Sequence, residues 1–217
     1  RVISAAEGKR YEKALAGKNI VFSYDKDLAE SIWTDRPAFP AGQVSMLPGD
    51  IVGKTAGEKL AEVRQELTKK GAESLLLTKL DDIMWLFNIR GCDVECNPVA
   101  MSYAYITQDG AVLFIRKEAL SGEVLSYLGK TGTEVKECGE ITDFVRALPG
   151  NGKNLLDERY VGYNFYKILQ EKQAVTEGKN PTELLKAVKN ATELANMEKV
   201  YLQDSVAVTK FIYWLKD

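Results

Sequence analysis

Leu60, Val63 and Leu67 recur at helical spacing and are followed by Gly71, which predicts a helix over 55–70 with its charges on the opposite face. The three consecutive leucines Leu75, Leu76 and Leu77 then predict a buried strand over 74–78. Asp81-Asp82 opens a short helix through Trp85 and Leu86, and residues 88–98, rich in Asn, Gly and Asp and closed by Pro98, read as a loop. Two apolar runs, 101–106 and 111–115, flank Gln108-Asp109-Gly110 and predict a hairpin. Helices over 117–128, 141–148 and 163–170 alternate with strands over 133–136 and 154–157 and a short one around Ala174. Strands alternating with helices, plus one hairpin, predict an α/β domain whose mixed sheet is covered by helices on both faces.

The flanks follow another pattern. A helix over 7–16, a short strand over 19–23 and a helical turn over 27–33 are too few to enclose a core. Pro37, Pro40, Gly42, Pro48 and Gly49 punctuate a linker after them. Trp33 is expected to bury against the middle block, with Asp35 and Arg36 as a local pair. At the other end Asn190 and Glu193 fit an N-cap with a carboxylate at the third helical position. One amphipathic helix is expected from there to 217, with Met197, Tyr201, Phe211, Ile212 and Leu215 apolar and no C-cap. Such a helix calls for a partner surface, and the chain reads as cut at both ends. The expected division is 1–44, the tail of a preceding domain plus linker; 45–178, a complete α/β domain; and 179–217, a linker and the first helix of a further domain. Lys186, Lys189 and Lys199 are expected to be solvated.

Composition narrows the function classes. The 217 residues are 45% hydrophobic and 28% charged, as in an ordinary globular protein. A net charge of −2 and a pI near 5.5 lack the basic excess of a nucleic-acid or anionic-membrane binder. No apolar run reaches the 18 or so residues of a membrane-spanning helix. With His 0, this chain cannot itself supply a serine–histidine or cysteine–histidine pair, an imidazole base or a histidine-ligated zinc. Cys92 and Cys96 lack both a second pair and the two-residue spacing of a redox motif, so they and Cys138 read as free thiols in a reducing cytoplasm.

The densest chemistry lies in 81–99. Asn88, Arg90, Asp93 and Asn97 share one loop, and Arg90 is suited to clamping a carboxylate bidentately. The same residues also suit a well-folded corner, with Asn and Asp bonding backbone and Arg90 paired to an acid. Both readings stand. Asp81-Asp82 and Asp157-Glu158 could each hold a cation, or serve a helix dipole and a turn respectively. Gly150-Asn151-Gly152-Lys153 precedes a strand and is no phosphate loop.

Residues 32–37 (Ile-Trp-Thr-Asp-Arg-Pro), residues 82–91 (Asp-Ile-Met-Trp-Leu-Phe-Asn-Ile-Arg-Gly) with Asp93, Asn97, Pro98, Val99 and Tyr103, and residues 185–190 with Glu193, Met197 and 211–215 together carry a resemblance. In order and spacing they resemble the three-domain Xaa-Pro aminopeptidases (aminopeptidase P) of the creatinase/prolidase-like metallopeptidases. The resemblance implies that 1–44 ends a first N-terminal domain, that 45–178 is the second creatinase/prolidase N-terminal-like domain, and that 179–217 enters a pita-bread catalytic domain. It implies two divalent metal ions, commonly manganese, held by Asp, Glu and His beyond Asp217. No catalytic or metal residue is then expected in this chain, which would be inactive alone. It further implies a cytoplasmic homodimer acting on peptides with proline second, with neither nucleic acid nor membrane as partner. The non-catalytic region would serve dimerisation and shape the cleft, with the loop carrying Asn88, Arg90, Asp93 and Asn97 facing substrate. The rival expectation is a free-standing, non-enzymatic α/β module for association or small-ligand binding.

Overall fold

The computed structural model describes residues 3–216 except 25, 30, 31, 41 and 173. In chain order the first elements are α1 (Ala5–Leu15), β1 (Ser45–Met46), α2 (Gly49–Val52), α3 (Ala56–Lys69), β2 (Ser74–Leu77), α4 (Leu80–Leu86) and β3 (Ile89–Arg90). Then come β4 (Ser102–Thr107), β5 (Ala111–Ile115), α5 (Gly122–Lys130), β6 (Thr133–Lys136), α6 (Ile141–Ala147), β7 (Asn154–Leu156) and α7 (Tyr163–Glu171). The last are β8 (Val175–Glu177), α8 (Pro181–Ala187) and α9 (Ala191–Lys216). Six strands form one sheet in the order β6-β5-β4-β2-β7-β8. β4 runs antiparallel to β2 and β5, while the β2–β7, β7–β8 and β5–β6 pairs are parallel. The sheet is therefore mixed, as the alternation predicts.

Its side chains feed two cores because successive residues of a strand face opposite ways. Leu75 and Leu77 join α3, α4 and α5 on one face, through Leu60, Val63, Ile83, Leu86, Val124 and Leu128. Leu76 joins α6 and α7 on the other, through Ile141, Val145, Phe165 and Leu169. Three leucines in a row thus serve both helical layers, which is why the run shows no alternation.

α1 belongs to the second layer. A Ser4–Glu7 capping box starts it, Ala5 N–H donates to Val161 O at 2.8 Å, and Tyr163 N–H donates to Ile3 O at 2.9 Å. Gly8 lies against the Tyr163 ring, which would be only 2.1 Å from a Cβ at that position, so the helices touch where neither side chain could be larger.

Several expectations change. Residues 19–23 form no strand among the described residues: Val21 is 90% exposed and Phe22 instead packs its ring 5.8 Å from that of Tyr163. Of the turn expected over 27–33, Glu30 and Ser31 lie outside the described residues; Asp27 Oδ1 accepts from Ala29 N–H, and Trp33 N–H donates to Ala29 O. Trp33 stays 48% exposed under the Arg36 guanidinium, and Arg36 pairs with Asp27 at 2.8 Å. The helix expected over 117–128 splits into a 3-10 turn (Lys117–Ala119) and α5, because Ser121 caps α5 by accepting from Val124 N–H. The sequence reading missed α8, although Pro181 at its first turn marks the start. α9 runs to Lys216, with Asp217 outside the described residues, and buries no residue along its length.

Candidate functional site

α4 ends in a turn that its sequence dictates. Asn88 adopts φ +53°, a left-handed conformation that Asn tolerates better than most residues. Its polar groups are all used: its carbonyl accepts from Leu47 N–H at 2.9 Å, Nδ2 donates to Lys54 O at 2.9 Å, and Oδ1 accepts from Lys59 Nζ at 2.6 Å. β3 then pairs antiparallel with β1, fixing Arg90 opposite Ser45. Gly91 follows with its Cα pressed on Ala100, whose Cβ and N would lie 2.6 and 2.7 Å from an added Cβ. Asp93 ties the loop shut: Oδ1 accepts from Gly42 N–H and Oδ2 from Met101 N–H, both at 2.7 Å.

The far wall comes from α9. Asn190 and Glu193 cap each other reciprocally, each backbone N–H donating to the other's side chain at 2.9 Å. Asn190 Nδ2 also donates to Val52 O, and Asn196 Nδ2 to Asp50 O, both at 2.8 Å. These bonds fasten the start of α9 to the end of α2. Between them and α4 opens a pocket of about 500 Å³. Met84, Trp85, Met197 and Val200 give it apolar walls, while Lys59, Arg90, Asn97 and Glu193 bring polar groups to it.

Lys59 is the residue that the sequence reading missed. The charge pattern of α3 predicts an exposed side chain here, yet Lys59 is 1% exposed, beside Leu60 and one turn from Ala56 and Val63. The spacing 56, 59, 63 puts it on the buried stripe, and that was the available signal. Its ammonium donates to Trp85 O at 3.0 Å as well as to Asn88, and lies 4.5 Å from the centre of the Trp85 ring. Burial is the main cause that pulls its pKa down to about 8; the nearby Arg90 and Lys54 charges lower it further, and Glu193 and Glu62 oppose them. Arg90 Nη1 donates to the carbonyls of Met84 and Ile89 at 3.2 and 2.8 Å, and burial lowers its pKa too.

Of the four residues singled out in the loop, Asn88, Arg90 and Asn97 line this pocket, and Asp93 serves as the staple at its base. The paired aspartates have protein partners. Lys186 donates to both Asp81 and Asp82, Thr182 Oγ1 donates to Asp82 at 2.8 Å, and Asp82 is 0% exposed. Lys186 is therefore a clamp from α8 onto α4, not the solvated lysine expected. Asp157 accepts from Arg159 Nη2 at 2.6 Å and from Asn180 N–H at 3.0 Å. Cys92 and Cys96 are exposed thiols and Cys138 a buried one.

A dinuclear metal centre does not fit the donor set present. The chain has no histidine, and among the described residues no three Cys, Asp or Glu side chains group so as to hold an ion. Also among the described residues, no helix is long and apolar enough to cross a membrane.

Residues 35–193 match the sequence model of the creatinase/prolidase N-terminal domain. The probable Xaa-Pro aminopeptidase P of Sordaria macrospora is 35% identical over 202 residues, which cover 88% of this chain and 33% of that protein. That of Podospora anserina is 31% identical over 229 aligned positions, covering 100% of this chain and 34% of that protein. The crystal structure of X-prolyl aminopeptidase from Caenorhabditis elegans, described as a cytosolic enzyme with a di-nuclear active site, superposes with a TM-score of 0.91 at 27% identity. That match covers 99% of this chain and 36% of the nematode one. The chain thus spans about a third of the length of these relatives. With the match over 35–193 and a mixed sheet layered as in that relative, the chain belongs to the creatinase/prolidase N-terminal domain family.

Proposed function

We propose that this chain is the N-terminal, non-catalytic region of a metal-dependent Xaa-Pro aminopeptidase, which releases the first residue from peptides with proline second. In this reading residues 1–44 close a preceding domain, 45–178 form a second domain, and 179–217 lead into the catalytic one. The observation that carries it is the superposition on the nematode X-prolyl aminopeptidase across 99% of the chain. Two divalent ions, manganese by the family resemblance, belong to residues outside this chain. The region's own work is dimerisation in the cytoplasm and shaping of the cleft. Arg90 and Asn97 meet the peptide from the pocket wall, while Asn88 and Asp93 act as positioning residues that hold the loop in place.

The test is the native gene product in its source cells, sized against the 24.1 kDa of this chain and assayed on Xaa-Pro peptides with and without a chelator. The expected result is a product about three times heavier, as the relatives' coverage suggests, with hydrolysis that the chelator abolishes. A product of this chain's own mass, or a longer one without Xaa-Pro hydrolysis, would overturn the proposal.

A further inference from the structure

We propose that the pocket between α4, the 88–99 loop and α9 is a receptor for the C-terminal carboxylate of a short apolar peptide, with Arg90 and Lys59 as its cationic partners. The charges around the pocket do not balance. Lys186 is committed to Asp81 and Asp82, and Glu193 to the first turn of α9. Lys189, partly buried on the same wall, donates to the Lys186 carbonyl, and beside Met84 and Trp85 there remain Arg90 and Lys59. Among the described residues neither makes an ion pair, and their hydrogen bonds go to neutral acceptors only. Arg90 uses Nη1 alone, with no acceptor for Nη2 or Nε among the described residues, and Lys59 fills two of its three donor positions.

Lys59 is buried and Arg90 half-buried, and Glu193 and Glu62 act on Lys59 only from beyond ion-pair distance, an arrangement that opposes folding and that good packing of the surrounding core does not require. An incoming anion supplies what is missing. The planar fork of Arg90 matches a carboxylate bidentately, and the Trp85 and Met84 walls suit an apolar residue beside that carboxylate rather than a bare inorganic anion. A volume of about 500 Å³ falls within the range of small-ligand sites and admits a residue or two of a peptide end. The inference deepens the cleft proposal and rests on it for the source of the carboxylate.

The 217-residue chain itself permits the test. Replacing the two exposed tryptophans (Trp33→Phe, Trp214→Phe) leaves Trp85, in the pocket wall, as the only fluorophore of its kind. Titration with Ala-Pro-Leu and with its C-terminal amide compares a charged with an uncharged end of nearly the same shape. The expected result is saturable quenching by the acid, with the amide bound about tenfold or more weakly, as for the loss of a charge-assisted hydrogen bond. Arg90→Gln should abolish that preference, and Lys59→Gln, which keeps a donor toward Trp85 O and Asn88, should reduce it while the circular dichroism stays native. Equal binding of acid and amide, no binding of either, or equal competition by inorganic phosphate would overturn the inference, whatever the longer protein hydrolyses. The cleft proposal fails separately: acid-selective binding here alongside unchanged peptide KM in the longer Arg90→Gln enzyme would leave a carboxylate receptor that does not face the active site.

Discussion

At Lys59 the position and the side chain pull in opposite directions. The helical register places residue 59 on the buried stripe with Ala56, Leu60 and Val63, while an ammonium prefers water. The fold resolves the conflict with two neutral acceptors and an aromatic face, and the cost appears as a pKa of about 8. The unfolded chain, with an ordinary lysine pKa of about 10.4, binds more protons between those two values, so this group makes stability rise with pH across them. The charged groups acting on it are Glu193 from α9, Arg90 from β3, and Lys54 and Glu62 from around α3. Urea denaturation of the native chain and of Lys59→Met should show the native chain gaining on the variant from about pH 8 to pH 10, with a constant difference below pH 8. A difference that does not move with pH would mean that Lys59 titrates normally. Asn88 and Asp93 were legible in the sequence as turn-formers, and both do bond backbone. Lys59 is hidden in the sequence because a charged residue in a helix ordinarily marks the exposed face, whatever its register.

Among the elements, helices with local signals were the readable ones. Asn190 and Glu193 announce the start of α9 within a single turn of sequence, whereas α8, whose one local mark is Pro181, went unread. Contacts between distant elements were not readable. Lys186 reaches Asp82 across 104 positions, and nothing local to either residue names the other. That clamp, with Thr182 on the same carboxylate, holds α8 against α4 and so sets where α9 begins. Lys186→Met leaves the fully buried Asp82 carboxylate with the Thr182 hydroxyl and, at 3.8 Å, the Lys79 ammonium, and should lower stability by about 2 kcal/mol in urea denaturation. Adding Asp82→Leu should restore most of the loss, since an apolar pair in that place needs no counter-charge. If the double variant is no more stable than the single one, the clamp acts through something other than charge.

For the whole molecule, the α/β class and the β4–β5 hairpin followed from periodicity and from the Asp109-Gly110 turn. The strand order β6-β5-β4-β2-β7-β8 did not, because parallel neighbours such as β2 and β7 are joined by long crossings whose partners no short pattern specifies. The pocket has the same character. It draws on residues from position 47 to position 201, so only its loop was visible beforehand. Near the end of α9 the exposed Phe211 and Trp214 stack with ring centres 6.0 Å apart on an unburied face. Whether the pocket loop meets substrate in the longer enzyme is decided by steady-state kinetics of that enzyme carrying Arg90→Ala. KM for an Xaa-Pro peptide should rise about tenfold with kcat and melting temperature nearly unchanged, the signature of lost binding. An unchanged KM with a lowered melting temperature would make Arg90 a structural residue and remove the loop from the substrate cleft.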